Sequence, residues 1–173
     1  MAIPKFANQT YINFSLSSNR KKQEAAFAKV RTGLGKEYPI VIGGERIMAE
    51  QKFPSTNPSK PSEVLGVFQR GTADLAVRAI EAASAAFETW KRVPAAKRAA
   101  ILFSAAKLMR KRRLELNAVM CLEVGKSWAE ADADVAEAID FLEFYAREML
   151  RYGADHPVVK NKGEKGKLVY VPL

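Results

Sequence analysis

Hydrophobic and polar positions alternate in two different ways along the chain. In its first part, short β-branched stretches are separated by turn residues, which is typical of strands. Residues 38–47 contain two such stretches on either side of Gly43-Gly44, a pair that can adopt the positive φ angles of a tight hairpin. Residues 57–62 contain two prolines and predict a rigid turn, and residues 64–68 predict a third strand.

A short helix is predicted before these strands, over residues 18–32. Either Ser17 or Ser18 can cap its first turn, and Gly33 and Gly35 favour its end. Its apolar stripe consists of three residues spaced three or four apart: Phe27, Val30 and Leu34.

Beyond Gly71 the pattern becomes helical. Thr72 can cap the next helix with its side-chain oxygen, and Pro94 suits the first turn of the helix after that. A further helix over residues 114–124 meets Gly125, a residue suited to a left-handed C-terminal cap. The side of the first of these helices that we expect to be buried is rich in alanine: Leu75, Ala79, Ala82, Ala83, Ala86 and Trp90.

The last and longest helix is predicted to begin after Ser127 and to end at Gly153. Ser127 and Glu130 have the spacing of a capping box. The residues expected on its buried side are Trp128, Ala131, Val135, Ala138, Leu142, Tyr145 and Met149. Residues 168–173 then resemble a strand for which no partner follows, so we expect that the polypeptide has been cut short.

Composition limits the class of protein. The chain has 173 residues, 48% of them hydrophobic and 27% charged, a balance that excludes collagen-like and disordered proteins. No apolar run approaches the roughly 18 to 20 residues of a membrane span, and the first residues do not form a signal peptide. The one cysteine, Cys121, cannot form an internal disulfide. We therefore expect a soluble, cytoplasmic protein that does not bind membranes.

Positive charge is concentrated in one part of the chain. Nine basic residues without an intervening acid account for the whole net charge of +9: Lys91, Arg92, Lys97, Arg98, Lys107, Arg110, Lys111, Arg112 and Arg113. Such a block can bind nucleic acid. However, five apolar residues repeat at helical spacing within it: Ile101, Leu102, Ala105, Leu108 and Met109. The last helix also carries seven acids that can neutralise it: Glu130, Asp132, Asp134, Glu137, Asp140, Glu143 and Glu148. We therefore expect a solvated or internally paired face and no nucleic-acid partner.

Most kinds of catalytic site lack a candidate. Metal ligands are not clustered, because the one histidine, His156, lies 35 positions from Cys121. Gly33-x-Gly35 lacks the third glycine of a nucleotide-binding loop. His156 precedes a proline in a polar tail and is expected to be a solvent-exposed bystander. Cys121 lies among Val, Met and Leu, where a small buried hydrophobe is a simpler interpretation than a nucleophile.

Glu137 is the acid that stands out. On a helical wheel it lies between Phe141 and Phe144, and a carboxylate flanked by aromatic rings can bind a cationic or amine-bearing ligand. The alternative, a partly shielded surface acid, is favoured when the pattern is taken alone.

Three motifs resemble the amino-terminal part of the 1-pyrroline-5-carboxylate dehydrogenases, a family also called L-glutamate γ-semialdehyde dehydrogenases, within the aldehyde dehydrogenase superfamily. The resemblance covers nearly the whole chain, and its third motif is the most specific. The motifs are Tyr38-Pro39-x-x-Ile42-Gly43-Gly44-Glu45, Asn57-Pro58-Ser59-x-Pro61-Ser62-Glu63-Val64 and Glu123-Val124-Gly125-Lys126-Ser127-Trp128-x-Glu130-Ala131-Asp132-Ala133-Asp134-Val135-Ala136-Glu137-Ala138-Ile139-Asp140-Phe141.

The resemblance implies a reaction. The family oxidises L-glutamate γ-semialdehyde to glutamate with NAD, in proline breakdown, through a cysteine that forms a thiohemiacetal and then a thioester. The family's catalytic residues lie beyond the position matching Leu173, and Cys121 does not match the catalytic cysteine. We therefore expect no catalytic residue, no bound NAD and no dehydrogenase activity in the isolated chain.

One family position does carry over. The resemblance implies that Glu137 lies beside the substrate pocket, near the substrate amino group, and that Phe141 is a weaker candidate for the pocket wall. Residues 167–173 match the start of strands that the family uses for subunit contact. The family forms homo-oligomers, and assembly of this chain is in doubt without the continuation of those strands.

The expected architecture is therefore an α/β, aldehyde dehydrogenase-like fold, represented by a mostly α-helical fragment with a hairpin and short strands. Its expected divisions are a helical N-terminal arm (1–35), a hairpin with a third strand (36–70), the helical part of the NAD-binding domain (71–153) and the start of a truncated strand for subunit contact (154–173). Two alternatives stay open: a non-catalytic assembly module and a basic helical module that binds nucleic acid.

Overall fold

The structure is a computed structural model that describes residues 3–171. Within this range it contains five helices and five strands. The helices are α1 (Ser17–Arg31), α2 (Ala73–Trp90), α3 (Ala95–Lys111), α4 (Arg113–Val124) and α5 (Trp128–Tyr152). The strands are β1 (Lys36–Tyr38), β2 (Ile40–Ile42), β3 (Glu45–Ile47), β4 (Lys52–Asn57) and β5 (Lys60–Gln69).

The strands form two small sheets. In the first, β5 lies in the centre, parallel to β1 and antiparallel to β4. The second is the predicted hairpin of β2 and β3, with Ile42 opposite Glu45. Gly43 and Gly44 have φ angles of 58° and 89°, which confirms the glycine-dependent turn.

The predicted turn over residues 57–62 is wrong in its extent. Strand β4 continues to Asn57 and β5 begins at Lys60, so the turn consists of Pro58 and Ser59. The buried Asn57 side chain closes this turn by accepting a 2.9 Å hydrogen bond from the Ser59 amide. Strand β4 was not predicted because it contains Pro54, which a strand tolerates at the edge of a sheet.

The helix boundaries follow the local capping signals where a side chain makes the cap. The Thr72 hydroxyl accepts from the Leu75 amide at 3.3 Å. Ser127 and Glu130 form both bonds of the capping box. Gly125 ends α4 in the left-handed conformation, with φ 70°. All three predictions are confirmed.

Two capping predictions are wrong. Helix α1 already includes Ser17 and Ser18, and the residue before it, Leu16, makes no side-chain cap. Helix α1 instead follows a short turn in which Asn13 Oδ1 accepts a hydrogen bond from the Ser15 amide at 2.9 Å. Pro94 is the N-cap of α3 and lies just before its first turn.

The core lies between α3 and α5, with α4 packed beside them. Ala106, Val135 and Ile139 are buried there. Partly buried hydrophobic residues surround them: Met109, Leu116, Met120 and Leu142. Fully buried alanines on α3 and α5 allow the helices to approach closely.

Several apolar faces predicted to be buried are exposed. No residue of α2 is buried, and Trp90 on its predicted inner side is 45% exposed. Ile101 and Leu108 of α3 and Tyr145 of α5 are likewise exposed. Helical periodicity identifies the apolar face of a helix but not what packs against it. Within residues 3–171, no element buries the apolar face of α2, Ile101 and Leu108 of α3, or the Tyr145 side chain.

The end of the described chain differs from the predicted strand. Leu168 forms a single antiparallel bridge with His156, and residues 169–171 are not in a strand. Pro172 and Leu173, the rest of the predicted strand, lie outside the described residues. A strand needs a neighbouring strand that pairs with it along its length. Within the described residues this segment has only the single bridge to His156. None of the described helices has the length and apolar character needed to cross a membrane.

Candidate functional site

A cleft of about 480 Å³ lies between α5 and the leading segment, which we define as residues 3–16. It brings together Glu137 and Phe141, the two site residues predicted from the sequence. The other lining residues come from both sides of the cleft: Phe6, Asn8, Tyr11, Ala133, Asp134, Asp140, Phe144 and Tyr145. The leading segment had not been predicted to contribute to a site.

Aromatic rings cover much of the α5 side of the cleft. Phe141 stacks on Tyr145 with ring centres 6.0 Å apart, and Phe144 meets Tyr145 edge-to-face at 5.4 Å. Phe6 of the leading segment packs against Phe144 at 5.6 Å. Glu137, Phe141 and Phe144 all line the cleft, as the helical wheel predicted. Residues three, four and seven positions apart share one face of a helix.

The carboxylates of the cleft differ in how they are paired. Lys126 forms an ion pair with Asp134. Asp140 accepts two hydrogen bonds from the leading segment, from the Gln9 amide and from Asn8 Nδ2, both at 2.9 Å. Within residues 3–171, Glu137 is exposed and has neither a hydrogen-bond donor nor a cation as partner. Glu137 is therefore the cleft carboxylate that is available to a ligand.

Asp132, which does not line the cleft, holds the leading segment through the Ile12 amide. It is 1% exposed, and its two oxygens accept from Arg113 Nε and Nη2, each at 2.7 Å. The Ile12 amide at 2.7 Å and Asn117 Nδ2 at 3.0 Å complete its partners. Burial alone raises the pKa of Asp132, but these hydrogen bonds outweigh it and hold the pKa below its usual value. Asp132 pairs with Arg113 of the basic block, which agrees with the internally paired alternative stated for the charges of this region.

The buried polar cluster extends to α1. Gln23 is fully buried and donates to the Leu114 carbonyl at 2.9 Å. Its side-chain oxygen accepts from Asn117 at 3.5 Å. Buried hydrogen bonds thus join helices α1, α4 and α5, and the leading segment is attached to this group through the Ile12 amide.

The basic block is partly neutralised within the described residues. Four of its nine cations pair with carboxylates: Lys91 with Glu88, Arg110 with Glu143, Arg112 with Glu115 and Arg113 with Asp132. Two of these acids belong to α5, as the charge pattern predicted. The expectation that nucleic acid is not a partner stays a prediction.

Neither Cys121 nor His156 belongs to the cleft. Burial raises the pKa of the Cys121 thiol, which favours the neutral form and the predicted role of a small hydrophobe. His156 packs edge-on to Tyr170 at 5.0 Å and its Nε2 lies 3.0 Å from the Tyr152 carbonyl, so it is partly covered rather than free in solvent. No cluster of three or more potential metal ligands occurs in the described range.

The glycines do not form a dinucleotide cradle. Gly43 and Gly44 make the hairpin turn, and Gly125 lies at the C-terminal end of a helix, where the carbonyl dipoles repel a phosphate. A nucleotide site of the glycine-rich type requires such residues before the N-terminus of a helix. These three glycines therefore do not form a glycine-rich phosphate loop, and no chemical step through NAD is assigned to the residues described here.

With the fold and cleft defined, comparison with known proteins identifies the class. The sequence model of the "Aldehyde dehydrogenase family" matches residues 47–173, and the chain belongs to this family. It is 44% identical over 168 residues to the 1-pyrroline-5-carboxylate dehydrogenase of Geobacillus thermodenitrificans, a match that covers 97% of this chain and 33% of that protein.

Solved structures agree with this assignment. The R100A mutant of Thermus thermophilus 1-pyrroline-5-carboxylate dehydrogenase superposes with a TM-score of 0.92 at 44% identity, covering 100% of this chain and 34% of that one. The Thermus enzyme with bound NAD gives a TM-score of 0.91 with the same identity and coverage. The chain thus spans about a third of the relatives it matches. The predicted α/β, aldehyde dehydrogenase-like architecture and the resemblance stated above are confirmed.

Proposed function

We propose that this chain provides the amino-group end of the substrate pocket of an NAD-dependent L-glutamate γ-semialdehyde dehydrogenase, which oxidises the semialdehyde to glutamate in proline breakdown. The observation that carries the proposal is the unpaired carboxylate of Glu137 beside the Phe141 ring in the cleft. Family membership and relatives at 44% identity with this activity in their names support the choice of reaction.

The cleft suits the ammonium end of an amino acid. The Glu137 carboxylate can form a charge-assisted hydrogen bond with an ammonium group, which neutral ligands cannot match. The faces of Phe141 and Phe144 attract cations and also pack against methylene groups. The small-molecule substrate is therefore bound at its charged amino end by α5, while its aldehyde extends away from this site.

The oxidation itself needs groups that the described residues do not bring to the cleft. A thiolate must attack the aldehyde and a hydride acceptor must take up the hydride. Cys121 lies in α4 with a raised pKa and does not line the cleft. The isolated chain is therefore proposed to have no dehydrogenase activity. Its cytoplasmic location remains a prediction.

Two measurements on the purified chain test this proposal. NADH formation with the semialdehyde and NAD is expected to stay at the level of the buffer, and turnover at the rate of a complete dehydrogenase would contradict it. A titration with L-glutamate, followed by NMR, is expected to shift the amide signals of Glu137 and Phe141. Glutarate, which lacks the amino group, and the Glu137→Gln variant are each expected to abolish these shifts, whereas Glu148→Gln, on the same helix outside the cleft, is expected to retain them.

The exposed side of α2 favours a second candidate, a non-catalytic assembly module. Val77 and Ile80 are more than half exposed, and α2 packs mainly against β2 within the described range. A second polypeptide that carries the remaining two thirds of a relative could cover this face, and homo-oligomers could follow. Co-purification of the two chains with recovery of activity would support this role, and failure to associate would reject it.

A further inference from the structure

We infer that the leading segment is the second wall of the ligand cleft, that Asn8 supplies a second acceptor for the ligand's ammonium group, and that Asp140 is the positioning residue that holds Asn8 there. This inference rests on the proposed function for the identity of the ligand, an α-amino acid with a free primary amine. It adds to Glu137 a contribution from a part of the chain more than a hundred residues away.

The leading segment runs antiparallel to α5. The Ile12 amide meets Asp132 at 2.7 Å, while the Pro4 carbonyl accepts from Arg147 Nε and Nη2 at 3.1 and 3.0 Å. Between these two attachments the leading segment advances by eight residues, which span about 26 Å when extended. Over the same interval α5 advances by fifteen residues, which span about 22 Å in a helix. The two lengths agree, so an extended segment follows the helix along the whole cleft.

Asp140 lies between these two attachments and fixes the middle of the segment. One of its oxygens accepts from the Gln9 backbone and the other from the Asn8 side chain, both at 2.9 Å. Arg110 Nε also donates to the Gln9 side chain at 3.0 Å. Both Asn8 and Asp140 line the cleft, so this contact sets the position of the segment at the ligand site.

The orientation of the Asn8 amide leaves an acceptor for the ligand. Its Nδ2 donates to Asp140, and within residues 3–171 its oxygen accepts no hydrogen bond. An ammonium group has three N–H donors, and the Glu137 carboxylate and the Asn8 oxygen together can satisfy more of them than Glu137 alone. Tyr11 lines the same cleft and adds the face of an aromatic ring.

Charge in the cleft agrees with a ligand that presents an ammonium group to it. Its three carboxylates are Asp134, Glu137 and Asp140, of which Lys126 neutralises only Asp134. The hydrogen bonds that Asp140 accepts come from uncharged donors, so they do not cancel its charge. The cleft therefore favours an approach in which the ammonium end of the ligand enters first.

The test uses the whole chain, isotopically labelled, with L-glutamate as the probe. Asn8→Ala and Asp140→Ala are each expected to weaken binding about fivefold, as loss of one hydrogen bond implies. Asp140→Asn keeps one oxygen for the Gln9 amide but presents an NH2 group to Asn8, which must then turn its own oxygen away from the ligand. It is therefore expected to weaken binding about as much as Asp140→Ala while the Gln9 amide stays protected. The matched control Glu148→Ala removes an acid of the same helix that pairs with Arg151, and is expected to bind like the wild type. Hydrogen exchange at the Gln9 amide is expected to accelerate in Asp140→Ala and not in Asn8→Ala.

The possible outcomes separate this inference from the proposed function. Wild-type chain that does not distinguish L-glutamate from glutarate would overturn both. Binding that is lost in Glu137→Gln but unchanged in Asn8→Ala and Asp140→Ala would overturn the inference alone. Should Asp140→Ala fail to fold, Asn8→Ala decides, because Asn8 is exposed and its replacement leaves the Gln9 contact in place.

Discussion

Arg113 and Asp132 form a buried ion pair in which two guanidinium nitrogens each donate a 2.7 Å hydrogen bond to a carboxylate oxygen. Arg113 begins α4 and Asp132 lies in the second turn of α5, so the pair fixes the angle between these helices. Asp132 also accepts from the Ile12 amide, and through this bond the pair holds the segment that borders the cleft. A structural ion pair thus supports the proposed ligand site, although neither of its residues lines the cleft.

Removing the cation of this pair is expected to destabilise the fold strongly. Arg113→Met leaves the Asp132 carboxylate buried without its charged partner, and the free energy of unfolding is expected to fall by about 3 kcal/mol. The neighbouring variant Arg112→Met removes an exposed cation that pairs with Glu115 and is expected to cost less than about 1 kcal/mol. Urea unfolding measures both values, and equal losses would contradict the role given to the buried pair.

The same carboxylate predicts how stability depends on pH. Burial alone raises the pKa of Asp132, but its hydrogen bonds hold the pKa below the usual value. The stabilisation is therefore complete above the unfolded pKa of about 3.9 and is lost as pH falls through the lower, folded pKa. We expect the free energy of unfolding to decrease on acidification below about pH 4, and less steeply in Asp132→Asn. Asp155→Asn, at an exposed site, is the control that keeps the wild-type slope.

The capping box at the start of α5 gives a prediction for a local interaction. Ser127→Ala removes the hydroxyl that accepts from the Glu130 amide and is expected to lower the free energy of unfolding by about 1 kcal/mol. Ser104→Ala is the matched control, because that hydroxyl bonds to the Ala100 carbonyl within α3 and caps nothing. Thermal unfolding followed by circular dichroism compares the two. A larger effect at Ser104 would refute the prediction.

Gly125 combines two reasons for having no side chain. Its φ of 70° disfavours a Cβ, and a Cβ placed there would lie 3.2 Å from Pro58 Cγ, in the β4–β5 turn. Gly125→Ala is expected to cost about 1 to 2 kcal/mol. Gly163→Ala has a similar φ of 85° but nothing within 4 Å of the new Cβ, and is expected to cost less. Denaturant unfolding measures both, and an equal or larger loss in Gly163→Ala would contradict the role given to the packing of Gly125 against Pro58.

What could be predicted from the sequence is what depends on near neighbours. Ser127 and Glu130 cap α5 through residues three apart, and Glu137 shares a face with Phe141 through the repeat of the helix. The hairpin at Gly43 likewise depends on adjacent residues. In each case the physical cause lies within a few positions of its effect, so the pattern contains it.

What was missed depends on distant partners. Asp132 looks like the other acids of α5, and its burial follows from Arg113 and from Ile12, which is 120 positions away. The contribution of Asn8 to the cleft follows from Asp140, at a separation of 132. The apolar face of α2 was predicted to be buried, but no residue of this helix is buried within residues 3–171. In this case the periodicity is present and the partner surface is missing.

The antiparallel course of residues 3–16 along α5 has a kinetic consequence. Ribosomal synthesis produces this stretch before α5, and its anchoring groups at Asp132, Asp140 and Arg147 emerge only after more than a hundred further residues have been added. Closing so large a loop is slow compared with forming the helices themselves. We therefore expect the stretch to dock after α5 has formed, and until it docks the α5 side of the cleft is open to water.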